Sequence, residues 1–364
     1  AEELMLLGAV DFIPKPFQSN EMQAKVDRIL GEATLKKEEN KVKGKDLERE
    51  FCKLPIEDFL TERDTEYGVF IRVSENKFIK IAHKGGKIPE DKVQSFKEKG
   101  VDYLYVQQED FVRIVGFTVN LSKMVNESNK VDPAKKLRFI QYTGSMLAQQ
   151  AYAKGMNEAL FHNAKNFLAS SMTVILDSPD IFDMLDQLST HTDYLYAQSL
   201  SVSVLSVMMA KQMGIHSPQT LFKVALAGLF HDIGLREISP DILNKSRVRL
   251  NQVERALLET HCTRGKEILE LMKGMPADVI QVTYEHHEDI LGTGYPRRID
   301  KNRIHPLTHI ISTADAFIAL TMKNPDNPVA LESSYALSKL TSTRASLLEP
   351  QSLEALTALV VSHK

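Results

Sequence analysis

Six side chains in the C-terminal half of the sequence carry metal-ligating chemistry: His231, Asp232, His261, His286, His287 and Asp315. They stand in the runs HDIGL, ETHCTRG, YEHHE and TADAF, each about 25 to 30 residues from the next. Every run falls on a different predicted helix. Such ligands meet only in three dimensions, as in metal sites built from inward-facing imidazoles and carboxylates on neighbouring helices. A lone histidine on an apolar helix is more often a hydrogen-bonded core residue than a ligand. Adjacent His-Asp and His-His pairs, both at the ends of apolar helices, are harder to house that way. Burying six such groups without a cation leaves several polar atoms unpaired, at about 1–3 kcal/mol each.

The elements that must position these residues read as helices from Pro133 onward. Ser199–Met213 contains the alternating SVSV, but it is too long for a strand and Gly214 supplies a helix stop. Leu221–Phe230 is apolar on every side and belongs in a core. Asn251 and Glu254 form a capping box for a helix that the spacing extends over Val253–Met272. Pro276 opens Ala277–Glu288, and Pro306 opens Leu307–Met322. In the former, Val279, Val282 and His286 share one face, while Ile280, Tyr284 and His287 share the neighbouring one. Both imidazoles therefore project from the same end. The fold class is mainly α, with an all-α bundle domain over residues 130–364.

The N-terminal part is different. Val69, Ile71 and Val73 alternate as in a strand, Phe78–Ile81 returns, a helix near Pro89–Lys99 stops at Gly100, and Tyr103–Val106 is another strand. These make a small α/β domain over residues 51–116 without a catalytic constellation, open to a sensing, docking or packing role. Residues 32–50 hold a charge-balanced linker or helix. Residues 1–31 read as a helix end, a short strand at Val10–Ile13, a Pro-Lys-Pro loop and a helix over Glu21–Leu30.

Composition excludes several classes. The 45 Lys and Arg nearly balance the 48 Asp and Glu, for a net charge of −3, whereas a dedicated nucleic-acid binder carries a basic excess. No apolar run reaches the ~18 residues of a membrane span. Cys52 and Cys262 form no CxxC pair and, with no signal peptide, fit a reducing, cytoplasmic setting. Position 1 is Ala rather than Met, which fits a piece of something longer.

In order along the chain, HDIGL (231–235), HCTRG (261–265), HHEDILGTGYP (286–296) and TADAFIALT (313–321) resemble the HD-GYP family of the HD phosphohydrolase superfamily. The resemblance implies an HD-type helical bundle that hydrolyses cyclic di-GMP to linear pGpG or GMP at two, sometimes three, metal ions. It gives His231 and Asp315 to one metal and His261, His286 and His287 to the other, with Asp232 as the catalytic bridge between them. Gly294 and Tyr295 of the GYP loop would border the substrate. Imidazoles and carboxylates without thiolate suit Fe or Mn. Two such cations ~3.5–4 Å apart activate a water and clamp the oxygens of an in-line displacement. Upstream, GAVDFIPKPF resembles the end of a response-regulator receiver domain, with Lys15 in its Lys-Pro loop. The phospho-acceptor part of such a domain is absent from this sequence, although the segment suggests two-component signalling.

The departures matter as much. Gln198 stands where the family has a His that binds the same metal as His231, and a neutral carboxamide is the weaker donor. His191 lies two helical turns away, about 10 Å by helix rise, too far to substitute. Tyr194 replaces the Glu associated with a third metal, so no trinuclear site is expected. Leu235 stands for a Lys, Leu291 for an Asp, and Asn324 and Asn327 for two arginines. Losing charge-assisted partners of a dianionic ligand costs a few kcal/mol unless Arg236 or Lys323 compensates, roughly a contact or two. Arg236 is thus a candidate catalytic and substrate-binding residue, and Lys323 a substrate-binding one. Three readings stay open: a cyclic di-GMP phosphodiesterase with weakened activity, a degenerate module acting through ligand or signalling-protein contacts, and a hydrolase of another phosphoester. Phe161–Met172 suits either a homodimer contact or the core.

Overall fold

The computed structural model describes residues 50–56, 65–74, 77–178, 182, 184–185 and 194–362. The expected receiver remnant at 1–31, the charged run up to residue 49 and His191 lie outside the described residues. Phe51–Val73 and Phe78–Lys364 make one compact unit, which holds all the candidate site residues.

Four short strands, β1 (Phe51–Pro55), β2 (Val69–Ser74), β3 (Lys77–Ala82) and β4 (Tyr103–Gln107), form a sheet in the order β1-β4-β2-β3. β4 runs antiparallel to both β1 and β2, with Cys52 opposite Val106 and Val69 also opposite Val106 on the other side. β1 is the strand that the sequence pattern does not announce. Helix α1 (Glu90–Glu98) stops before Gly100, whose φ of 75° a side chain would disfavour. Ile56, Val69, Ile88, Val93 and Leu104 form a small core of their own. Cys52, Leu54 and Val106 instead share the main core with Phe111, Val115 and Val119 of α2 (Gln108–Glu127). That helix follows β4 directly and runs on through residue 116, tying sheet to bundle.

The bundle continues with α3 (Pro133–Lys154), α4 (Glu158–Asp177), α5 (Tyr194–Gln212), α6 (Pro218–Phe230) and the short α7 (Pro240–Leu243). It ends with α8 (Gln252–Glu259), α9 (His261–Glu270), α10 (Ala277–Glu285), α11 (Pro306–Thr321), α12 (Ser333–Arg344) and α13 (Pro350–Ser362). α5 is the central rod, packed against α3, α6, α11 and α13. It is buried on all sides, so the SVSV stretch is a core helix. Two of its buried serines give their protons to backbone carbonyls, Ser203 Oγ to Ala225 O at 2.7 Å and Ser199 Oγ to Leu195 O at 3.0 Å, whereas Ser201 Oγ and Ser206 Oγ are buried without a hydrogen-bond partner. The Phe161–Met172 stretch lies in α4, where Phe161, Phe167 and Leu168 are buried in the core. Among the described residues, no helix is long and apolar enough to cross a membrane.

Two helices end earlier than their spacing predicts. The run Val253–Met272 splits at Thr260, whose hydroxyl donates to Leu257 O at 2.6 Å and accepts from Arg264 Nε at 2.9 Å. The Asn251–Glu254 capping box is present at its start. Helix α10 stops at Glu285 rather than Glu288, leaving His286 as its cap. Both breaks place a histidine at a helix end.

Candidate metal centre

Three helix C-termini converge on one carboxylate. His231 caps α6, His286 caps α10, and His261 follows Thr260, the cap of α8. Each ring meets the carbonyl three residues back through Nδ1: Gly228 at 2.8 Å, Leu258 at 2.7 Å and Thr283 at 2.8 Å. A carbonyl only accepts, so Nδ1 carries a proton and the neutral ring keeps its lone pair on Nε2. All three Nε2 atoms face Asp232, at 3.3 Å from His231, 3.2 Å from His261 and 3.3 Å from His286. His261 Nε2 and His286 Nε2 lie 3.1 Å apart. Two lone pairs at that distance repel unless a proton or a metal cation stands between them. The negative ends of the α6 and α10 dipoles favour a cation at the same place.

The ligand atoms of Asp232, His261, His286 and His287 all lie within 4.8 Å of one another. A second lobe shares Asp232: His231 Nε2 is 3.6 Å from Asp315 Oδ1, and Asp315 projects from α11. Gln198, on α5, donates from Nε2 to that same Oδ1 at 2.7 Å. Asp232 and Asp315 are 7 % and 9 % exposed, and both His231 Nε2 and Asp232 Oδ1 are buried without an aligned hydrogen-bond partner. Orphaned donor atoms of this kind are costly in a dry site and are what a bound cation satisfies. The cluster therefore fits a metal ion.

Ionisation follows the same geometry. Burial opposes charge on His231, but Asp232 and Asp315 outweigh it and hold the imidazole well above its ordinary pKa. Burial likewise opposes charge on both carboxylates, yet the histidines keep Asp232 well below and Asp315 below the usual range. Burial pushes His286 and His287 down, and for His287 the neighbouring His286, His261 and Arg247 add to the effect. These two rings stay neutral and ready to donate.

Close packing explains two of the motif glycines. A Cβ on Gly234 would lie 1.9 Å from His261 O, so only glycine lets the 3₁₀ turn Ile233–Glu237 touch α9. A Cβ on Gly294 would lie 2.3 Å from His287 O, where the GYP loop folds back and Tyr295 N donates to that carbonyl at 3.1 Å. Tyr295 then lies against His287, ring centroids 4.6 Å apart. Glu288 pins the rest of the loop, accepting from the backbone of Arg297 at 2.6 Å, Arg298 at 3.1 Å and Ile299 at 3.1 Å. Fully buried Glu285 holds Arg297 and the backbone N–H of His305. Ser312 donates to His286 O at 2.6 Å.

A cleft of about 450 Å³ opens over the cluster, and Gln198, His287, Gly294, Tyr295 and Asp315 line it. Arg236 and Lys323 are not among its lining residues. Arg236 turns the other way: its Nε donates to Tyr152 O at 3.3 Å and its guanidinium packs on Gly155. The cations that do line the cleft are Lys245, Arg247, Lys339 and Arg344. Sequence reasoning missed them because none belongs to a recognisable motif of the site. Ser312 was within reach of it, one helical turn before Asp315.

Residues 183–351 match the family described as the HD domain. A cyclic di-GMP phosphodiesterase of Pseudomonas aeruginosa is 32 % identical over 151 residues, 42 % of this chain and 36 % of that protein. A 3'3'-cGAMP-specific phosphodiesterase of Vibrio cholerae is 29 % identical over 163 residues, 45 % of this chain and 35 % of that protein. A cyclic di-GMP phosphodiesterase of Thermotoga maritima is 26 % identical over 212 residues, 57 % of this chain and 56 % of that protein. The matches thus span from about a third to just over half of the length of these curated relatives. Among solved structures, Bd1817, an HDG"Y"P protein from Bdellovibrio bacteriovorus, superposes with a TM-score of 0.66 at 18 % identity, over 85 % of this chain and 99 % of that one. That likeness concerns the fold: a mainly α, HD-type bundle with a small antiparallel sheet.

Proposed function

We propose that the chain is a metal-dependent phosphodiesterase of cyclic dinucleotides, with cyclic di-GMP as substrate and linear pGpG or GMP as product. The observation that carries this reading is the meeting of three imidazole Nε2 atoms on the two oxygens of Asp232, each ring fixed by its Nδ1 on a backbone carbonyl. In it, His261, His286 and His287 hold one divalent ion, His231 and Asp315 hold a second beside Gln198, and Asp232 joins the two. Fe or Mn matches the nitrogen and carboxylate donors. Bound there, the ions supply Lewis acidity toward phosphate and a nucleophile at neutral pH. The protein's own part is preorganisation. Helix-end carbonyls fix each imidazole, and burial keeps the Tyr295 phenol protonated as a donor at the cleft. The names of the relatives, which the chain matches over 151, 163 and 212 residues, support the same substrate class.

One observation favours a second reading, a module that binds ligand or partners without turnover. Gln198 turns its N–H to Asp315 and ties up an oxygen of the second lobe. The deciding experiment incubates the full 364-residue chain with Fe(II) or Mn(II), anaerobically, and cyclic di-GMP, followed by chromatography. Release of pGpG or GMP is expected. Retained binding with no product under either metal would replace the first reading by the second, and turnover of a general phosphodiester dye alone would point to another phosphoester.

A further inference from the structure

A cyclic dinucleotide carries two phosphodiesters, and a cation pair clamps one of them at a time. The other needs positive charge elsewhere in the cleft. The two asparagines at the family's arginine positions cannot supply it, because the fold has spent them. Asn324 Nδ2 donates to Ala319 O and Met322 O, and Asn327 Nδ2 to Leu320 O and Met322 O, closing the C-terminus of α11. Between them, Asp326 reaches across to another loop. Its Oδ1 accepts from Ser246 Oγ at 2.8 Å and from the backbone N–H of Arg247 at 2.6 Å, while Oδ2 lies 3.5 Å from Arg247 Nε. The pairing through Nε leaves both terminal amino groups of Arg247 for a ligand. Lys245, two residues earlier, has its charge answered by Glu254 at 2.6 Å. Lys339 and Arg344 of α12 line the same cleft and, among the described residues, have no ion-pair partner.

We propose that Arg247, anchored by Asp326, binds the non-scissile phosphate of a cyclic dinucleotide, with Lys339 and Arg344 extending that cationic wall. This rests on the phosphodiesterase reading above and names how its ligand is held. A planar guanidinium offers a phosphate two parallel charge-assisted hydrogen bonds, which a lysine cannot reproduce. The arginine function lost at residues 324 and 327 is thus regained from the loop after α7, and Asp326 is the positioning residue that fixes it.

The test uses the Mn(II)-loaded full chain. Cyclic di-GMP binding is measured by calorimetry, and turnover is compared with that of bis-p-nitrophenyl phosphate, which has a single phosphodiester. Arg247→Ala should raise Kd and KM for cyclic di-GMP about 10- to 100-fold at wild-type metal content. The kcat/KM ratio of dinucleotide to dye should fall at least about 10-fold. Arg247→Lys should recover only part of the loss. Asp326→Ala should raise KM more than it lowers kcat, and the Lys339→Ala, Arg344→Ala double variant should weaken binding and flatten its salt dependence. An unchanged Kd in Arg247→Ala, or equal losses on both substrates, would overturn the inference and leave the phosphodiesterase reading intact. A wild type that binds without turnover, with the Kd ratio as expected, would sink only the enzymatic reading. A wild type that does not bind cyclic di-GMP overturns both.

Discussion

Gln198 donates an N–H to Oδ1 of Asp315 across 2.7 Å, joining α5 to α11 at the lip of the second lobe. A histidine in that place would offer a lone pair to the space shared with His231, whereas the amide offers a hydrogen. The two lobes are therefore unequal: Asp232, His286 and His287 gather with His261 in a group of four, and the lobe of His231 forms no such group among the described residues. Gln198→His should tighten Mn(II) binding at one of two sites by about tenfold or more and leave the other unmoved, since second-lobe changes of this kind shift metal affinity by ~10–100-fold. Competition with a fluorescent chelator would read both constants. A variant with both constants unchanged would put Gln198 outside the coordination sphere.

Among the described residues, Asp232 is the only carboxylate that all three helix-end imidazoles face. Asp232→Ala should therefore empty both lobes, taking metal content from two ions to near none and turnover down by about 10³-fold or more, a loss expected when bound ions no longer supply the nucleophile. Asp315→Ala, by contrast, should cost only the ion beside His231. Elemental analysis after dialysis separates the two outcomes. Full metal content in Asp232→Ala would contradict the bridging assignment.

Gly234 makes a stability test that needs no metal. The missing Cβ leaves room for His261 O, which would otherwise lie 1.9 Å away, with Gly265 N at 2.6 Å. Both obstacles are backbone and cannot swing aside. Gly234→Ala should lose about 3 kcal/mol or more in urea unfolding of chelator-treated protein, as overpacked cores do. Gly116→Ala, in α2 with no atom closer than Asn163 Nδ2 at 3.8 Å, is the control and should gain up to about 1 kcal/mol.

The ligand residues are legible in the sequence because short runs of unusual composition mark them, and the helices that carry them have clear caps and apolar spacing. Arg236 shows where such reading stops. It stands four residues after Asp232, but the 3₁₀ turn Ile233–Glu237 carries its side chain toward Tyr152 O, away from the cleft. Arg247 fails in the opposite sense. Nothing local to the SRVR run points at the site, and its place depends on Asp326, 79 residues further on. The break at Thr260 was hidden for a similar reason. The apolar spacing runs straight through it, and the close contact with Gly234 that fits the broken geometry is tertiary.

Away from the centre, Asp278 of α10 pairs with Lys223 of α6 at 2.5 Å, with His305 Nε2 3.5 Å from its other oxygen. The hydrogen bond from Lys223 is the main cause that holds the Asp278 carboxyl below its ordinary pKa, against a smaller opposing effect of burial. A depressed carboxylate stabilises the fold fully above its unfolded value. The contribution is lost as pH falls through the folded value, because the unfolded chain takes up the proton first. Both partners are more than a third exposed or close to it, so solvent screening leaves the pair worth only about 0.5 kcal/mol. Asp278→Asn should therefore unfold in urea about 0.5 kcal/mol earlier than wild type at pH 7. The gap should shrink on acidification below about pH 4 and also in high salt at neutral pH. If the two proteins keep the same difference in acid, the cost of the substitution comes from packing rather than from the ion pair, and α6 and α10 are joined by their apolar faces alone.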